Sequence, residues 1–403
     1  MRVFQRPEHE WLRLALTADC DLAALAMLEQ EGPMYGVGFN WGYVFATATR
    51  HQADGVAAWL SGRWPEHLGM IRGLAGHWLE VGRPVLNALT GKSIPFVLVG
   101  SQATYELYGC DQWLRTWDDL DIAVPSAYYE QCWGVMQSFG ADRSAVPANS
   151  PNPEFMLGDI KVSCACFPPE GRLLQWCVSW DDGLFEDVID VTLPSGDTLP
   201  FPHPSKQLVH HAFHSYDTMT WGQAPFPLYA LAKLHNLSQA PDFTWDAVLS
   251  FLDRFAARTP ERIAKATGTY PEWYLRTLDD ASNEVGIVGW MLGMVDRVYG
   301  GVPQRVRDYV QVRTNGQTPY FGTPDTRKGG GKSHPTGSPN VDLPPLLLQW
   351  GVIPDDEDFI FGERYRHLLR DRLRGGIWQE RKEPQSQPSQ ERKTWEERDI
   401  LWL

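Results

Sequence analysis

The sequence predicts an α+β protein: a small mixed sheet with helices packed on it, flanked by an N-terminal helical region and a C-terminal helical bundle. Three observations lead there. Apolar residues recur at three- and four-residue intervals before residue 92 and again after 205, the period of a helix with one buried face. Between those stretches the texture changes to short β-rich runs separated by turn residues. The chain is also long and apolar enough, 403 residues and 43% hydrophobic, to bury more than one core.

Taken in order, "PEHEWLRLALTADCDLAALAMLEQEG" and "MIRGLAGHWLEVGRPVLNALTG" place Leu, Trp, Ile and Ala at helical spacing, with Gly at their ends. Strands are expected at Phe96–Val99, Leu120–Val124, Ile160–Cys166 and Val188–Leu193. Helical character lies between the first two, over Gln102–Tyr108, and again over Tyr128–Phe139. "LPSGDT" is a tight-turn signal that joins Val188–Leu193 to Thr198–Phe201 as a hairpin. Helical texture returns with "SKQLVHHAFHSY", "PLYALAKLHNL", "FTWDAVLSFLDRFAAR" and "EVGIVGWMLGMVDRVYG". The Gly-, Pro- and Ser-rich run "NGQTPYFGTPDTRKGGGKSHPTGSPN" cannot bury enough apolar surface to offset its ordering entropy and reads as a linker. These textures divide the chain into a helical region (1–92), an α/β core (93–204), a helical domain (205–312), a flexible linker (313–342) and a tail (343–403) whose apolar end, "WEERDILWL", suits a partner protein.

The formal charge of −14 opposes nonspecific binding to nucleic acid or anionic membrane, which rests on Lys and Arg. No segment reaches the roughly 18 to 20 apolar residues of a membrane span, and "MRVFQRP" has no apolar run behind its basic residues. A cytoplasmic protein with no membrane partner is expected. The six cysteines are scattered without zinc spacing. Cys164 and Cys166 share one strand face, a placement that could serve redox or metal chemistry, but buried reduced thiols are the favoured reading.

The chemistry concentrates in "FVLVGSQATYELYGCDQWLRTWDDLDIAVP". A strand that ends in Gly100-Ser101 and runs into a helix offers free backbone N–H groups and a positive helix end to an anion such as a triphosphate. Asp119 and Asp121, two apart on the next strand, project from one face. Two adjacent carboxylates repel unless a cation lies between them, and Mg²⁺ takes carboxylate and phosphate oxygens together. The combination predicts a metal–nucleotide site for Mg²⁺-assisted nucleotidyl transfer.

Other signals carry less. "GGGKS" at 329–333 has Thr326 where a P-loop needs its first glycine, and "TGKS" at 90–93 fails in the same way at Leu86. His210 and His214 have i,i+4 spacing and His211 lies beside them, but no acid completes a metal motif, so helix packing is favoured. Trp113 and Trp117 flank the site and are read as core rather than base-stacking, while Lys161 and Lys206 are read as solvated.

"VLVGSQATYELYG" followed by "RTWDDLDIAV" resembles the nucleotidyltransferase superfamily related to DNA polymerase β, in which a strand, Gly-Ser, a short helix and a D-x-D strand form the active site. It is similar to the bacterial branch that contains type IV abortive-infection toxins, and the resemblance spans roughly residues 80 to 300. The resemblance implies that Gly100 and Ser101 hold nucleotide phosphates, that Arg115 reaches a phosphate, and that Asp119 and Asp121 bind Mg²⁺. Such enzymes add a third carboxylate from a later strand, often the base that takes the proton from the attacking hydroxyl. Ser163 occupies that place in "GDIKVSCACF". Asp159 lies four residues earlier on the same face by alternation and is the catalytic candidate, while Asp190, in "VIDVT", belongs to the following hairpin. The function implied is an ATP- or other NTP-dependent nucleotidyltransferase, with Mg²⁺ as cofactor and a hydroxyl acceptor on a protein, a small molecule or tRNA, in the setting of a toxin–antitoxin pair. The alternative is a catalytically weak or inactive protein of the same fold that acts as a scaffold.

Overall fold

A computed structural model of the chain describes residues 3–31, 39–51, 53–99, 119–144, 154–166, 182–192, 196–220, 228–254 and 281–314. Five helices come first: α1 (Pro7–Ala15), α2 (Leu22–Gln30), α3 (Trp41–Arg50), α4 (Asp54–Ser61) and the long α5 (Pro65–Gly91). Their ends follow from sequence chemistry. Pro7 opens α1 with Glu8 and Glu10 in its first turn and Arg13 in its last, in accord with the helix dipole. Asp21 caps α2 by accepting from the N–H groups of Ala23 and Ala24, and Asn40 caps α3 through Tyr43. Gly62 closes α4 at φ 64°, in the left-handed region that glycine enters at no steric cost.

Two strands, β1 (Val97–Leu98) and β2 (Asp119–Ala123), precede helix α6 (Tyr129–Ser138), and β3 (Glu154–Leu157) and β4 (Ile160–Ala165) complete a mixed four-stranded sheet in the order β1-β2-β4-β3. The pair β2/β4 is parallel; β1/β2 and β3/β4 are antiparallel. Strands β5 (Ile189–Thr192) and β6 (Thr198–Phe201) form the hairpin that "LPSGDT" predicts, with Thr192 opposite Thr198. The later helices are α7 (Pro204–Thr220), α8 (Leu228–Leu237), a helical run over 245–254, α9 (Ala281–Val298) and α10 (Gln304–Thr314). Among the described residues no helix is long and apolar enough to cross a membrane. The segment expected as the Gln102–Tyr108 helix, the linker from 315 onward and the tail lie outside the described residues, while Arg313 and Thr314, expected in the linker, end α10.

Strand β3 is the one described strand that the sequence reading lacks. Its signal is legible in retrospect: "FMLGDIKV" holds two apolar runs around a two-residue Gly-Asp turn, and Leu157 pairs with Ile160 across it. Gly158 sits there at φ 63°.

Burial divides into two cores. Leu98, Leu120, Ile122, Phe155, Ile160, Val162 and Cys164 turn one face of the sheet toward Trp78, Val85, Leu86 and Leu89 of α5 and Trp133, Val135 and Met136 of α6. The second core joins the helices before residue 61 to those after 204, through Trp11, Leu12, Val44, Leu231, Met291 and Val295 among others. Buried polar bonds fasten the same two chain segments. Asn236 donates to Leu16 O at 2.9 Å and accepts from Ala18 N–H at 3.0 Å, and Leu228 N–H donates to His51 Nδ1 at 3.1 Å.

Gly82 marks where α5 presses on β2, because a Cβ built there would lie 2.5 Å from Leu120 Cδ2. A glycine-to-alanine change inside a helix ordinarily gains about 1 kcal/mol. Here Leu120 is fully buried and cannot swing away, and overpacking of this kind costs about 1–3 kcal/mol. Gly82→Ala is therefore expected to lower stability by about 1 kcal/mol net, read as a reduced urea midpoint; a gain in stability would show that β2 yields to the helix.

Candidate functional site

Strand β2 carries the candidate acids because its alternation has two different faces. Leu120 and Ile122 are buried against α5 and α6, and Asp119 and Asp121 are half-buried on the other side. Successive same-face residues on a strand are about 6.5–7 Å apart, so the two side chains start close enough to serve one site. Register supplies their neighbours. Lys161 of β4 lies beside Asp119 and Ser163 beside Asp121; on β3, Met156 pairs with Lys161 and Glu154 with Ser163. On the other flank, Val99 N–H, just after β1, donates to Asp121 O at 3.1 Å. Gly100, Ser101 and Arg115, together with Trp113 and Trp117, lie outside the described residues.

Two acids thus have known positions on this face, and a third position is new. Glu154 continues the row Asp121–Ser163–Glu154 across three adjacent strands. With strands about 4.8 Å apart, its backbone lies roughly 10 Å from that of Asp121. The sequence reading passed over Glu154 because β3 itself was not recognised. Among the described residues no group of three His, Cys, Asp or Glu side chains is already gathered as a metal site. Two carboxylates on one face, with substrate oxygens completing the shell, still match the hard donors that Mg²⁺ takes.

Asp159 is placed otherwise than alternation suggests. β4 begins at Ile160, and Asp159 occupies the β3–β4 turn, where the strand rule no longer fixes its direction. Its largely exposed carboxylate meets His77 Nε2 of α5 at 2.8 Å, so it points toward the helix layer and away from the aspartate face. The His77 hydrogen bond, with a smaller contribution from a backbone N–H, holds the Asp159 carboxyl below the usual aspartate range. The sign follows: a depressed folded pKa contributes stability that is full above the unfolded value of about 3.9 and is lost as pH falls through the lower folded value. Carbon-13 NMR titration of Asp159 is expected to show the depressed midpoint, and His77→Ala to return it upward; an unchanged midpoint in the variant would break the assignment.

The remaining candidates fall into structural roles. Asp190 is exposed on β5, opposite Pro200. Lys206 is buried, with Nζ donating to Glu186 O at 2.5 Å and meeting Asp187 Oδ2 at 3.4 Å, so it is engaged within the fold and not solvated as the sequence reading has it. His210 and His211 are buried on α7 with ring centroids 5.0 Å apart. Lys161 is exposed, as expected.

The chain matches no protein-family model and no curated protein. Among solved structures it is similar to the solution structure of the antibiotic-resistance factor ANT(2'')-Ia, with 11% identity over 45% of this chain and 93% of that one, and a TM-score of 0.33.

Proposed function

We propose that the chain is a Mg²⁺-dependent nucleotidyltransferase that moves an NMP from an NTP to a hydroxyl acceptor on a protein, small molecule or tRNA. The observation that carries this reading is the register of the sheet. β1 precedes Gly100-Ser101 in sequence, Val99 just after it bonds to Asp121, and the D-x-D pair occupies the sheet face opposite the one packed on α5 and α6. Asp119 and Asp121 would hold Mg²⁺, which when bound offsets phosphate charge and favours the leaving pyrophosphate. Gly100, Ser101 and Arg115 would hold the phosphates through backbone N–H groups and a guanidinium. Glu154 is the better candidate than Asp159 for the carboxylate that takes the acceptor's proton. It shares the row of Asp121, whereas Asp159 is committed to His77.

A second reading, a scaffold of the same fold without the chemistry, draws on Lys161. Its register position beside Asp119 puts an ammonium where carboxylate charge could be offset without a metal. Titrating the full chain with each NTP, with and without Mg²⁺, separates the two. The enzyme reading expects at least one NTP to bind only with Mg²⁺, and Asp119→Ala to abolish that binding. If no NTP binds, or binding ignores both Mg²⁺ and Asp119, the enzyme reading is lost.

A further inference from the structure

Three thiols meet behind the sheet. Cys132 of α6 and Cys164 of β4 are fully buried with their sulfurs 3.3 Å apart, and Cys166, also fully buried, follows the end of β4 two residues beyond Cys164. Forming a disulfide at about 2.05 Å requires the pair to close by only about 1.3 Å. Cys132 and Cys164 belong to different layers, one on the helix and one on the sheet, so a bond between them would tie α6 to β4 across a separation of 32 residues.

We propose that Cys132 and Cys164 are an oxidation site that forms an intramolecular disulfide when a peroxide-class oxidant is present. The sulfur of Cys132 attacks one peroxide oxygen, the O–O bond breaks, and a sulfenic acid and one water result. The sulfur of Cys164 then attacks the Cys132 sulfur and releases the second water. In sum two thiols and one hydrogen peroxide give one disulfide and two waters, with two electrons passing from sulfur to oxygen. The order of attack follows from the cluster: the neighbouring Cys164 and Cys166 thiols pull the Cys132 thiol down, while contact with Cys132 and burial push Cys164 up, so Cys132 is the first nucleophile. Cys20 gives an internal contrast, because burial and the neighbouring Asp21 and Asp19 push its thiol up to about 11 and leave it a poor nucleophile.

The test is peptide mapping of the full chain after hydrogen peroxide treatment, under non-reducing conditions, alongside a thiol titration in denaturant. The expected result is one crosslinked species joining the peptides of Cys132 and Cys164, two fewer thiols than the six in the sequence, and reversal by dithiothreitol. Closing a loop of this size should also raise the thermal midpoint of the oxidised protein by roughly 5–10 °C. Cys166→Ala should retain the crosslink and Cys164→Ala should lose it. Recovery of Cys132 and Cys164 as free thiols or sulfinic acids while other cysteines consume the oxidant overturns the proposal, and so does a crosslink that depends on Cys166. The map of the unaltered chain decides the matter even if a variant does not fold.

Discussion

On the proposed function, Asp121→Asn is expected to slow Mg²⁺-dependent nucleotidyl transfer by about 10³-fold or more. A metal held at developing phosphate charge contributes several kcal/mol to the transition state, and each 1.4 kcal/mol is about tenfold in rate. Asn keeps the shape and removes the charge, so the loss should fall on kcat with a smaller change in fold stability. The same assay separates the two candidate bases. Glu154→Gln should cost about 10²- to 10⁴-fold, the span for removal of a general base, and should flatten the acidic limb of the pH–rate profile. Asp159→Asn should leave the rate within a few-fold, because that carboxylate is held by His77 at the hairpin turn. Single-turnover rates with radiolabelled NTP measure all three. If Asp159→Asn is the crippling change and Glu154→Gln is silent, the row of acids inferred from strand register is not the catalytic one.

The largest stability effect is expected at Glu10 and Arg13. Both belong to α1 and both are buried, at 3% and 8% exposure. Arg13 donates Nη2 to Glu10 Oε1 at 2.6 Å and Nε to Oε2 at 3.1 Å, a two-pronged pair. Glu10 also accepts from the N–H groups of Val3 and Phe4, while Arg13 donates to Val298 O and lies over the Tyr299 ring. The pair therefore connects the segment before α1 to α1, and α1 to the end of α9. Removing either partner strands the other charge in a low-dielectric core, which costs about 3–5 kcal/mol. Arg13→Ala and Glu10→Ala should each lower the thermal midpoint by roughly 10 °C. Replacing both with Met should lose less than either single change, since no unpaired charge remains. A double variant as unstable as the sum of the singles would mean that the pair contributes through packing alone.

A loss at these sites should be felt beyond the N-terminal helices. The core that contains Trp11 and Leu12 also contains Leu231, Met291 and Val295, so α1 has no separate interior to fall back on. Hydrogen exchange in Arg13→Ala is expected to rise in α8 and α9 together with α1.

Periodicity alone determined a good deal of this protein. Strands expected at Phe96–Val99, Leu120–Val124 and Ile160–Cys166 form within about a residue of those limits, and Thr198–Phe201 forms as expected. The "LPSGDT" hairpin and the helices around Tyr129–Ser138 and Leu228–Leu237 also form where the pattern puts them. The separation of Asp119 and Asp121 from Leu120 and Ile122 was equally legible, because alternation along one strand is a property of neighbours in sequence. What depends on residues far apart was not. Register decided that Ser163, and beyond it Glu154, lies in line with Asp121, since it is set by which faces of separate strands can be buried together. The turn at Gly158-Asp159 removed Asp159 from the alternation that had put it on the aspartate face, and His77, 82 residues earlier, fixed its direction. Packing likewise joined the first helices to the last, through apolar faces whose periodicity says that they must be covered but not by what.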